Sequence, residues 1–139
     1  MKTANPSTRH YSISDKFEAG VVLSGGEVKS VKKQGIILKE AFVQTREGEA
    51  YLVNAHIAQY QYVKDRPYDP KASRKLLLNR KELAKLISKK KQGLAIIPLL
   101  CYNKAGWIKF QIGVGKKKRK IEKKRDKIEK EQKRETRRF

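Results

Sequence analysis

The chain has 139 residues, of which 38% are hydrophobic and 35% charged, with 35 Lys+Arg against 14 Asp+Glu and a net charge of +21. That length suits one compact domain, and so large a charge opposes compaction unless a polyanion offsets the repulsion, which makes nucleic acid the leading partner. A single cysteine, Cys101, excludes an intramolecular disulfide and a zinc site built on cysteines.

Residues 115–139 hold nine Lys and five Arg against five acids, so +9 of the charge lies there and +12 in residues 1–114. The two stretches read as a folded RNA-binding domain, 1–114, and a basic tail, 115–139. No apolar run approaches the ~18 residues of a membrane span, and no basic helix has a broad apolar face. The N-terminal MKTANPSTRHYS lacks the apolar stretch of a signal peptide. A cytoplasmic protein without a membrane partner is expected.

Residues 1–9 read as flexible, because Pro6 and its Asn, Ser and Thr neighbours discourage regular structure. Tyr11 and Ile13 alternate with polar residues as in a half-buried strand. Phe17 to Leu23 forms a second extended segment, stopped at Gly25-Gly26. Val28 and Val31 then stand three apart with Gly35 as a C-terminal cap, the pattern of a short helix. Ile36 to Arg46 and Ala50 to Ile57 are strand candidates joined at a turn holding Gly48. Residues 59–73, with two prolines and three tyrosines, read as an ordered loop.

Asn79 and Glu82 have the spacing of a capping box, and Leu83, Leu86 and Ile87 mark one face of the helix behind them, which Gly93 ends. Leu94 to Tyr102 and Trp107 to Val114 make a hairpin across NKAG, with Lys109 and Gln111 alternating against Ile108, Phe110 and Ile112. The fold class that results is mainly β: about six short antiparallel strands with two or three attached helices. An OB-type barrel is the preferred form, because barrels remove exposed edges and OB barrels commonly bind nucleic acid; periodicity leaves another small barrel open. In the tail, Asp126–Lys130 and Glu129–Lys133 support a helix at i,i+4, but no apolar stripe does. It is expected to be disordered when free, with either a solvated role or helix formation against RNA phosphates.

Catalytic chemistry finds little footing. A Walker loop needs Lys and Ser or Thr directly after its second glycine, whereas Gly26 and Glu27 follow Gly25. His10 and His56 are the only histidines, no metal-ligand spacing is present, and the acids Glu18, Glu27, Glu40, Glu47 and Glu49 form no recognisable pair. A binder with no catalytic residue, metal or cofactor is expected. Glu18 stands out as an acid between Phe17 and Ala19 in a basic chain. It reads either as a solvent-facing strand residue or as a carboxylate that accepts hydrogen bonds from a base edge.

Several strings in order resemble the SmpB (small protein B) family, the partners of transfer-messenger RNA in bacterial rescue of stalled ribosomes: FEAG at 17–20, GEVKS at 26–30, YDP at 68–70, RKLLL at 74–78 followed by Lys81-Glu82, and GKK at 115–117. The resemblance implies an OB-fold barrel without catalytic activity that binds the tRNA-like domain of transfer-messenger RNA. It implies delivery of the alanylated RNA, in complex with elongation factor Tu, to the vacant A site. It also implies a tail that becomes helical in the empty mRNA channel, at the 30S decoding centre and its 16S rRNA.

The family's RNA contacts carry over as Asn5, Glu18, Leu77 and Lys109. For Leu77, packing against a helix is the alternative. The ribosome contacts carry over as Lys116, Lys117, Arg119, Lys123, Lys124 and Arg125. The tail departs from the family pattern: Arg119 stands where an aromatic residue or histidine is usual, and Lys120 replaces an aspartate. Arginine can stack on a base as well as bind phosphate. A general, charge-driven RNA-binding or ribosome-associated protein is the competing reading.

Overall fold

The computed structural model describes residues 2–62 and 67–118. Its elements run β1 (Lys2–Ala4), a 3-10 helix (Pro6–His10), β2 (Tyr11–Val21), α1 (Gly25–Gln34), β3 (Phe42–Arg46), β4 (Glu49–Val53), β5 (Arg74–Leu77), α2 (Arg80–Lys91), β6 (Ala95–Lys104) and β7 (Trp107–Lys117). Seven strands form one antiparallel sheet in the order β1-β6-β7-β2-β5-β4-β3. The sheet curls until β3 lies against β6, but no ladder joins them. The fold is therefore OB-like and mainly β, with a barrel that hydrogen bonds do not close.

The core follows strand alternation. β7 buries Ile108, Phe110, Ile112 and Val114 at period two and turns Lys109 and Gln111 outward. β6 needs a correction of phase to match it. Ile96 and Pro98 pair with Val114 and Ile112 on the core side, and a bulge at Leu99 then lets Cys101 pair with Phe110 on that same side. The bulge also explains how a proline sits within an inner strand. Both hairpin turns are two-residue turns with positive φ at each position, Glu47-Gly48 and Ala105-Gly106, which matches the right-handed twist of the flanking strands.

Both helices start on side-chain caps. Ser24 accepts from the Glu27 N–H at 3.2 Å while Glu27 accepts from the Ser24 N–H at 3.1 Å, and Asn79 accepts from the Glu82 N–H at 2.8 Å. α1 buries Ser30 and Val31, and α2 buries Leu86.

Five expectations change. Residues 2–9 are not flexible: β1 pairs with β6, and Pro6 takes the first position of a 3-10 helix, where its missing N–H costs nothing. The two segments expected from Tyr11 to Leu23 are one strand, β2, irregular between Ile13 and Asp15. Ile36 to Arg46 is strand only from Phe42; Ile36 and Leu38 are apolar because they are buried, not because they form a ladder. RKLLL holds a further strand, β5, with Leu76 inward and Leu77 outward. β7 continues past Val114 to Lys117.

Candidate nucleic-acid interface

Alternation and register bring outward side chains of four adjacent strands into rows. Tyr102 of β6 pairs with Lys109 of β7, Lys109 with Gly20 of β2, and Gly20 with Leu77 of β5. Gln111 and Glu18 pair in the next row. Gly20 leaves a gap in this face: a Cβ there would lie 3.5 Å from the Lys109 ammonium and 3.4 Å from Leu77 Cβ. The lysine head thus rests over bare backbone against an apolar side chain. Leu77 is 51% exposed, which a residue packed under a helix would not be.

Glu18 is fixed rather than free. Its Oε2 accepts the Tyr102 hydroxyl at 2.6 Å, and Lys104 Nζ lies 3.3 and 3.4 Å from its two oxygens. The Tyr102 hydrogen bond, then Lys104, hold the carboxyl below the usual carboxylate range. Burial first, and the Glu18 bond next, push the Tyr102 phenol up to about 12. At neutral pH the face therefore presents an ionised carboxylate, a neutral phenol and the ammonium groups of Lys104 and Lys109. Lysines attract phosphate, whereas a carboxylate can only accept hydrogen bonds, such as those from base amino groups.

β5 owes its position to a buried charge cluster. Arg74, 4% exposed, donates to Glu27 Oε2 at 2.9 Å, to the Ala55 carbonyl at 2.8 Å and to the Pro70 carbonyl at 2.9 Å. Tyr68 donates to the Ile57 carbonyl at 2.8 Å beside it. GEVKS, YDP and RKLLL, far apart in sequence, thus meet in one network through Glu27, Tyr68 and Arg74.

Glu18, Leu77 and Lys109 share the face; Asn5 does not. Asn5 is 4% exposed, and its amide groups are engaged: Nδ2 donates to the Pro98 carbonyl at 2.7 Å and Oδ1 accepts from the Ser7 N–H at 2.9 Å. With its own N–H bonded to the Leu99 carbonyl at 2.9 Å, it clamps the β6 bulge and caps the 3-10 helix. Lys116 and Lys117 are exposed at the far end of β7, roughly 23 Å along the strand from Lys109. There Lys117 joins His10, Lys39 and Lys90 around an open cleft of about 510 Å³. Arg119, Lys123, Lys124 and Arg125 lie outside the described residues. Sequence reasoning missed Tyr102, Lys104 and Gly20 on this face, although Tyr102 and Lys104 are two apart, as outward neighbours on a strand must be. No cluster of three or more His, Cys, Asp or Glu that could hold a metal occurs among the described residues, and no described helix is long and apolar enough to cross a membrane.

A curled antiparallel sheet with one mixed cationic, acidic and apolar face defines a small basic OB-like binding protein. Comparison with known proteins narrows that class. The chain belongs to the SmpB family, whose model, described as SmpB protein, matches residues 2–139. Its curated relatives include the SsrA-binding protein of Latilactobacillus sakei, 47% identical over 90% of this chain and 81% of that protein. The SsrA-binding protein of Lactobacillus helveticus is 44% identical over 96% of this chain and 90% of that protein. A solved structure described as "tmRNA-SmpB: a journey to the center of the bacterial ribosome" superposes with a TM-score of 0.71 at 35% identity, covering 86% of this chain and 85% of the other.

Proposed function

We propose that the chain binds the tRNA-like domain of transfer-messenger RNA through the face that carries Glu18, Leu77, Tyr102 and Lys109. It then delivers the alanylated RNA, together with elongation factor Tu, to the vacant A site of stalled ribosomes in the cytoplasm. The observation that carries this reading is the fixed carboxylate of Glu18 among cations. A face selected for charge alone gains nothing from a carboxylate, which repels phosphate; a face that reads bases does. Leu77 supplies an apolar contact to a ribose or base, and Lys109 binds phosphate. Asn5 acts indirectly, by holding the turn that leads into β2. Family membership, the SsrA-binding relatives and the ribosome-related solved structure support the assignment.

Lys116, Lys117, Arg119, Lys123, Lys124 and Arg125 serve the second task, contact with the 16S rRNA of the decoding centre and with the empty mRNA channel, where the tail becomes helical. Their charge suits a polyanion, and Arg119 adds a stacking plane. The role is one of binding, without catalysis or cofactor.

A charge-driven general RNA binder is the competitor, and the net charge of +21 favours it. Competition at physiological salt separates the two. Labelled tRNA-like domain is challenged with excess ordinary tRNA, for wild type and Glu18→Gln. Resistance to competition in wild type and its loss in the variant is the expected result. Equal displacement of both by ordinary tRNA would leave only the charge-driven reading.

A further inference from the structure

The outward face does not stop at the row of Tyr102, Lys109, Gly20 and Leu77. Two residues further along each strand stand Lys104, Trp107, Val22 and Lys75. Lys104 pairs with Trp107 across the β6–β7 turn, and the Val22 N–H donates to the Lys75 carbonyl at 2.9 Å. This second row has two lysines flanking two apolar side chains. Trp107 is the only tryptophan of the chain, yet it is 73% exposed, and Val22 is 53% exposed. Indole offers more apolar area than other side chains, so leaving it in water on a rigid strand forgoes a large burial term.

We infer that Trp107 is a stacking platform for one unpaired base of the bound RNA, with Lys104 and Lys75 placed for the phosphates on either side of that nucleotide. The inference rests on the proposed function and extends its interface by one row. Charge decides the class of occupant. Each lysine of the row stands beside one acid, Lys104 at 3.3 Å from Glu18 and Lys75 at 3.8 Å from Glu49, but both pairs are solvent-exposed and weak enough for a phosphate to displace them. An aromatic plane between lysines is how single-stranded segments are held. Bases inside an A-form helix have no free π-face, so the nucleotide comes from a loop or bulge. The indole sits directly after the Ala105-Gly106 turn, at the rim of the sheet, where a splayed base can reach it.

Because Trp107 is the only tryptophan, its emission reports on the site directly. Wild type is titrated with the tRNA-like domain while intrinsic fluorescence is followed, and affinity is measured in parallel for Trp107→Ala and Trp107→Phe by a labelled-RNA assay at several salt concentrations. Strong quenching that saturates with binding is expected. Trp107→Ala should bind roughly five- to a hundredfold more weakly, the range for losing one stacked base, with an unchanged salt slope because no phosphate contact is lost. Trp107→Phe should recover most of the affinity. Urea midpoints of both variants should match wild type, since the side chain is exposed.

Selective binding by wild type with unmoved emission and full affinity in Trp107→Ala would overturn this inference alone. Failure of wild type to prefer the tRNA-like domain would overturn the proposed function and this inference with it. Emission that ignores the RNA but is quenched by intact 30S subunits, and not by naked 16S rRNA, would assign Trp107 to a protein neighbour and also overturn it.

Discussion

Replacing Arg74 by methionine removes a buried guanidinium while keeping much of its volume. Four partners lose their donor at once: the Glu27 carboxylate, whose ion pair with Arg74 measures 2.8 Å, the Tyr68 hydroxyl, and the carbonyls of Ala55 and Pro70. The Glu27 side chain is only 14% exposed, so solvent cannot substitute freely. Removing one partner of a buried pair costs about 3–5 kcal/mol, a large share of the ~5–15 kcal/mol that holds a domain together. With an m value of about 1.5 kcal/mol/M for a domain of this size, the urea midpoint should fall by about 2–3 M.

pH supplies the second arm. Burial by itself raises the Glu27 carboxyl, but hydrogen bonds from the Ser24 N–H and Arg74 outweigh it and hold the carboxyl below the usual carboxylate range. A carboxyl depressed on folding stabilises above its unfolded pKa and loses that contribution as pH falls through the folded one. Arg74→Met reverses the balance, so the gap between wild type and variant should be widest at pH 7 and shrink as pH falls towards and then through the usual carboxylate range. Adding Glu27→Gln to Arg74→Met should restore part of the loss at pH 7. A midpoint shift under about 0.5 M at pH 7, or a gap that does not change with pH, would refute the assignment of the cluster as a buried ionic clamp.

Ultraviolet pH titration should find one tyrosine ionising near pH 12, absent in Tyr102→Phe and shifted down in Glu18→Gln, where the charged acceptor is gone. Because that phenol is raised on folding, its stabilisation is complete below pH 10 and should fade between pH 10 and 12 in denaturation scans. Cys101 is fully buried and its thiol is pushed up to about 12 by burial. Alkylation at pH 8 should therefore proceed in native protein only as fast as the chain opens, and at once in urea. Two glycine substitutions should divide cleanly. Gly115→Ala puts a methyl into the Ser12 backbone and should cost at least ~1–3 kcal/mol of stability. Gly20→Ala makes ordinary contacts, so it should fold normally in a thermal melt while weakening RNA binding through Lys109 and Leu77.

The amino-acid sequence by itself determined whatever depends on neighbours within about four residues. The caps at Gly35 and Asn79, the Gly48 and Gly106 turns and the alternation of Ile108 to Ile112 are of this kind, because each is decided by local backbone conformation or by which face a side chain takes. Composition likewise made the chain a polyanion binder, since net charge needs no fold. β1 and β5, three and four residues long, carry too little pattern to be seen and exist only because β6 and β2 offer them edges. The phase of β6 depends on a bulge whose carbonyls Asn5 satisfies from 93 residues away. Glu18 meets Tyr102 across 84 residues, and Leu77 faces outward because β5 pairs with β2 in one register and not the next. A strand slipped by one residue reverses every side chain, so which residues share the outward face was decided by long-range register, and register is a property of the folded sheet.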